Sequence, residues 1–228
     1  ATRIVPTYRW LADFIEQEYA PAARTSVGWS ALPDGAAWYR HLIRKQTTTD
    51  LTAEDIHSLG LAEVARIRAE MDAVRQQVGF SGDLSAFFRH LQEDPKFYFA
   101  RGEDLLAGYV ALKQRIDALL PKLFSDFPKA QYEVRAVEPF RAASAPGASY
   151  QSPSADGKRP GIFYFNAYDL PSRTTPGMTT LYLHEGAPGH HFQISIAQEN
   201  ESLPAFIRFG GNTAYVEGWA LYAETLGY

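Results

Sequence analysis

The run His184-Glu185-Gly186-Ala187-Pro188-Gly189-His190-His191 gathers three imidazoles and one carboxylate in a chain with 6 histidines. A second signal follows at Tyr215-Val216-Glu217-Gly218-Trp219, with Glu224 further on. Imidazole and carboxylate are the ligand types of a catalytic zinc site that keeps one position open for water. Two histidines one helical turn apart, with a glutamate beside the first, would bind zinc and act on water. Here the position four residues after His184 is Pro188, which offers no ligand atom.

The spacing then sets a geometric problem. In an unbroken helix His190 would point about 120° away from His184, because each residue turns about 100°. His191 would regain the face of His184 but stand about 10 Å further along. Pro188 removes a helical N–H, and Gly186 and Gly189 permit unusual backbone, so a break at 186–189 can return a later histidine to His184. His190 is the favoured second ligand and His191 the alternative. Glu217 supplies the third ligand, and Glu224 can orient a ligand histidine from behind. His41, His57 and His90 stand alone on helices and read as structural.

Elements must position these groups. Apolar spacing predicts helices over 8–19 and 34–46, and a long one opened by a Thr52-to-Asp55 capping pattern. Its stripe runs Ile56, Leu59, Leu61, Val64, Ile67, Met71 and Val74. Helices follow over 84–91 and 103–124, the latter with Leu105, Leu106, Tyr109, Val110, Leu112, Ile116, Leu119 and Leu120 inward. The texture changes near Pro128. Strands are predicted at 132–137 and 161–168, with a Pro/Gly/Ser-rich irregular segment over 139–160. A helix with a defect covers 178–199, 203–211 is a linker, and a last helix spans 212–226. The fold class is mainly α with a small β-sheet, α+β, with a helical region 1–127 and a catalytic-type region 128–228 expected to form one continuous domain of a larger protein.

Composition narrows the function classes. The 228 residues are 46% hydrophobic and 21% charged with net charge −4, so a nucleic-acid footprint is not expected. Cys is 0, which removes disulfides, thiolate nucleophiles and Cys-ligated zinc. No apolar run approaches the ~18 residues of a membrane span. The sequence stops directly after the Glu217 segment, and a ligand-bearing helix normally has structure packed over it. A piece of a longer polypeptide is therefore expected.

Leu183-His-Glu-Gly-Ala-Pro-Gly-His-His-Phe-Gln193 and the stretch 209–224 resemble the bacterial family named domain of unknown function 885. So do Thr47–Gly60, Asp156–Gly161 and Asn166–Arg173. The resemblance spans nearly the whole chain. That family resembles gluzincin metallopeptidases, whose scaffold is largely helical with a small sheet beside the zinc helix. The resemblance implies one Zn2+ held by His184, His190 and Glu217, with Glu185 as general base. Glu217–Glu224 is similar to the ligand helix of zinc aminopeptidases. Phe165-Asn166-Ala167-Tyr168 is similar to the edge strand that pairs with substrate in thermolysin-like enzymes, so Asn166 and Ala167 are candidate substrate-binding positions. Tyr150, Tyr168 and Arg173 are candidate electrophiles for an oxyanion.

The expected activity is hydrolysis of a peptide or small amide. A zinc hydrolase of another bond, or an inactive binding protein of this fold, are the competing classes. Expected partners are a peptide substrate and either the missing C-terminal portion or a second copy of the chain. Many relatives are exported, so an extracytoplasmic setting is favoured.

Overall fold

The computed structural model describes residues 2–227. The chain divides into two compact units, Ala1–His57 and Ser58–Tyr228. The first holds α1 (Ile4–Phe14), which runs through a π-type turn at Ile15–Tyr19 into α2 (Ala20–Ala22), and then α3 (Gly35–Thr47). Helix α4 (Ala53–Gln77) crosses the division. Its start obeys the capping pattern: the Asp55 N–H donates to Thr52 Oγ1 at 3.1 Å and the Thr52 N–H to Asp55 Oδ2 at 3.0 Å. Its apolar stripe is not covered, and Leu59, Val64, Ile67, Met71 and Val74 are exposed.

The second unit continues with α5 (Leu84–Glu93), α6 (Gly102–Asp117), β1 (Tyr132–Ala136), α7 (Pro139–Ala142), β2 (Ala148–Gln151) and β3 (Gly161–Phe165). It ends with α8 (Met178–Glu185), α9 (His190–Glu199), α10 (Ala205–Arg208) and α11 (Thr213–Thr225). Helix α6 stops at Asp117 rather than near 124, because Pro121 lacks the N–H owed to residue 117 and its ring crowds that carbonyl. Leu105, Tyr109, Leu112 and Ile116 fall at helical spacing on one face of α6, and all four are buried. That face packs on β1 and α8. α6 shares its core with the sheet across the change of texture near Pro128, and the compact units divide at 57/58.

The sheet has the order β1-β3-β2. β1 runs parallel to β3 with Tyr132 opposite Gly161, and β2 runs antiparallel with Tyr150 opposite Phe163. The expected edge role of the 161–168 strand is therefore corrected: β3 is central and both sides of its main chain are occupied. The edges belong to β1 and β2, and β2 lies inside the segment expected to be irregular. The Asn166 N–H donates to the Gly147 carbonyl at 2.9 Å. Antiparallel alternation then turns the main chains of Ser149 and Gln151 toward β3 and those of Ala148 and Tyr150 toward the free edge. β3 ends at Phe165 because the Asn166 side chain diverts the chain, donating to the Ala142 and Ala145 carbonyls and accepting from the Tyr168 N–H.

Phe163 sits at the centre of the core, fully buried, with its ring 5.0 Å from Tyr109 and 5.5 Å from Tyr182. Phe163→Ala should cost about 3–5 kcal/mol of stability, read as a lowered midpoint in urea unfolding with an unchanged slope.

Candidate metal centre

The site begins with a helix that fails. Helix α8 closes at Gly186, whose N–H donates to the Tyr182 carbonyl at 2.8 Å. Helix α9 restarts at His190, and the Gln193 N–H returns to the Gly189 carbonyl at 3.1 Å. Between them Pro188 is buried and follows a cis peptide bond. A Cβ at Gly189 would stand 1.9 Å from the His184 carbonyl oxygen and 2.2 Å from that of Leu183. Only glycine lets the restarted chain lie this close to the end of α8. From α11, Trp219 Nε1 donates to the Pro188 carbonyl at 2.7 Å and clamps the break to the third ligand's helix.

The fold brings His184 and His190 together with ring centroids 4.7 Å apart at 86°. Glu217 Oε2 lies 3.3 Å from His184 Nε2 and 3.7 Å from His190 Nε2. One ligand atom from each of the three falls within 4.8 Å of the others. Two nitrogens and an oxygen held at zinc-ligand distance around a tetrahedral ion stand about 3.4 Å apart, so this donor set fits zinc. Behind it, His184 Nδ1 lies 2.8 Å from Glu224 Oε1. A carboxylate there accepts a hydrogen bond from Nδ1–H, which fixes the tautomer whose Nε2 lone pair faces Glu217. The Glu217 side chain is 51% exposed, so one flank of the group is open.

Electrostatics keep the nitrogens available. The His190 pKa is held down, first by burial and then by His184, against the opposing pull of Glu217. His190 is also the first residue of α9, where the positive end of the helix dipole disfavours an imidazolium. Its Nδ1 is buried without a protein partner. The Glu185 pKa is raised, mainly by burial, with Glu217 adding to the rise and His184 and the Tyr150 main-chain N–H opposing it. Glu185 ends α8, where the helix dipole disfavours negative charge. Two imidazoles among the carboxyl groups of Glu185, Glu217 and Glu224 form a donor-rich group suited to a cation.

His191 points elsewhere. Its Nδ1 faces the Tyr150 hydroxyl at 2.8 Å and Ser195 Oγ at 3.4 Å, and its ring stacks 4.2 Å from that of Tyr132. Burial pushes its pKa down to about 4. Asn166, Ala167, Tyr168 and Arg173 gather in a loop after β3. Asn166 is buried and spends its side chain on the local turn. Ala167 backs onto Gly102, and Arg173 Nε donates to the Asn166 carbonyl at 3.0 Å. Tyr168 is 67% exposed. Among the described residues no hydrogen bond or ion pair joins these four to His184, His190 or Glu217. Sequence reasoning missed the Trp219 clamp and the His191–Tyr150 pair; a tryptophan two residues after a ligand was the one available signal for the first.

The family model described as "Bacterial protein of unknown function (DUF885)" matches residues 1–228, and the chain belongs to that family. No curated protein matches the sequence. Among solved structures the chain is similar to "the putative lipoprotein from Colwellia psychrerythraea", with 33% identity and a TM-score of 0.93. The match covers 100% of this chain and 40% of that one, so the chain spans less than half of its solved relative.

Two outcomes are expected. Gly189→Ala should lower bound zinc from one ion per chain toward none, measured by metal analysis after dialysis. In chelator, stability should fall between pH 6.5 and about 4, because His191 takes up a proton in the unfolded chain before the folded one. The His191 share is about 3 kcal/mol at most, and Glu185, whose pKa is raised, works in the opposite direction. Urea unfolding at pH 7 and pH 4.5 should show a smaller drop in His191→Asn than in the wild type.

Proposed function

We propose that this DUF885 member is a zinc-dependent hydrolase of peptide or related amide bonds. The observation that carries the reading is the convergence of His184, His190 and Glu217, with Glu224 on the rear nitrogen of His184 and Glu185 alongside. His184, His190 and Glu217 would hold the ion. When bound, zinc supplies Lewis acidity, lowering the pKa of water toward about 7 and polarising a carbonyl.

The chain's own groups account for the rest of the reaction. Glu185 takes a proton from the attacking water as the new C–O bond forms, and returns it to the leaving nitrogen as the C–N bond breaks. Its raised pKa suits a group that must both accept and give a proton near neutrality. Glu224 keeps His184 in the tautomer that presents Nε2. β2 packs on α8, and an extended peptide can pair with the free edge of such a strand through main-chain hydrogen bonds. Tyr168 and Arg173, set in the loop after β3, are given no chemical step.

An extracytoplasmic setting belongs to the same proposal, supported by the lipoprotein description of the solved relative. No helix among the described residues is long and apolar enough to cross a membrane. Glu185→Gln should keep one zinc per chain and lose about 10²–10⁴ in kcat on a fluorogenic peptide amide. Equal zinc content in wild type and His184→Ala would sink the reading.

A further inference from the structure

We propose that His191 is a positioning residue for Glu185: by holding the Tyr150 hydroxyl it fixes the free edge of β2, the strand that packs on the helix ending in Glu185. The inference rests on the hydrolase reading only in treating Glu185 as the base. The starting point is the weakness of β2. It has four residues, and only Ser149 and Gln151 bond to β3. Its other side has no strand. Backbone pairing therefore leaves its distance from α8 loosely determined, and a side chain must set it.

Tyr150 is that side chain. Its main-chain N–H points away from β3 to the free edge, and the strand packs on α8, the helix that ends in Glu185. Its ring lies on the opposite course, toward α9, where the hydroxyl reaches His191 Nδ1 at 2.8 Å. A Cβ at Gly161 would stand 2.5 Å from the Tyr150 hydroxyl oxygen and 2.9 Å from His191 Nδ1. The sequence thus has glycine where the pair needs clearance. His191 in turn has one orientation. Ser195 Oγ lies 3.4 Å from Nδ1, and Tyr132 stacks on its face. Tyr132 is itself fixed, with Lys113 Nζ 4.1 Å from its ring centre and its hydroxyl bonded to that of Tyr182.

The arrangement ties two functions to one helical turn. His190 offers a nitrogen to the metal group, and its neighbour His191 holds the strand that steadies the base. Misplacing a reacting group by about 1 Å can cost on the order of a hundredfold in rate. Loss of the anchor should therefore appear in turnover, while the metal ligands, which do not touch Tyr150's hydroxyl, keep their ion.

Tyr150→Phe, His191→Leu and His191→Asn test this, with zinc content, amide hydrogen exchange at position 150 and kinetics on a fluorogenic peptide amide as readouts. Tyr150→Phe and His191→Leu should exchange the position-150 amide about tenfold faster. They should also lose on the order of tenfold or more in kcat, with KM within about twofold and one zinc retained. His191→Asn, whose Oδ1 replaces Nδ1 as acceptor, should recover most of both. Unchanged exchange in Tyr150→Phe and His191→Leu overturns the proposal. If wild type with zinc cleaves no amide, the hydrolase reading fails, and the exchange result still decides whether His191 positions the edge.

Discussion

The close approach of Gly189 to the His184 carbonyl is the constraint on which the site depends. A continuous helix would carry His190 to the wrong face and His191 beyond reach. The break lets α9 restart against the end of α8, so that two nitrogens separated by six positions share one space. It is not left to itself. Trp219 reaches across from α11 to the Pro188 carbonyl, and the same helix carries Glu217 and Glu224 to the two nitrogens of His184. One helix therefore supplies the carboxylate beside His184 and His190, the carboxylate behind His184 and the clamp on the kink.

Helix ends and burial act in the same direction on the protons. His190 opens a helix and is buried, and both effects hold it neutral. Glu185 closes a helix and is partly buried, and both effects raise its pKa. A regular helix through this region would offer neither terminus. The interruption that solves the spacing problem thus also sets the charge states. The polar groups behind the site are arranged with equal economy: His191, Tyr150 and Ser195 satisfy one another beneath β2, and Tyr132 and Tyr182 share a hydrogen bond further in.

Much of the fold was legible because its signals are local. The Thr52–Asp55 cap lies within one helical turn and the α6 stripe within about three. The sheet was read less well. Two strands carry β-branched or aromatic alternation, but β2 is Ala148-Ser149-Tyr150-Gln151 in a Gly/Ser/Pro-rich stretch, and composition hid it. Which strand is central depends on pairing between residues distant in sequence, and no periodicity encodes that order. The exposed stripe on α4 teaches the converse point: helical spacing marks an amphipathic face, not whether anything covers it.

The sequence alone determined the donor types, the presence of a breaker between them and the helix that carries Glu217. Tertiary structure decided which histidine turns toward Glu217 and which toward Tyr150, that Glu224 meets His184, and that the free edge beside Glu185 is β2. Helical and strand periods carry information over a few residues only. Past Pro188 and Gly189 the direction of the chain is set by contacts with the α8 carbonyls and Trp219, and these exist only once α11 has packed.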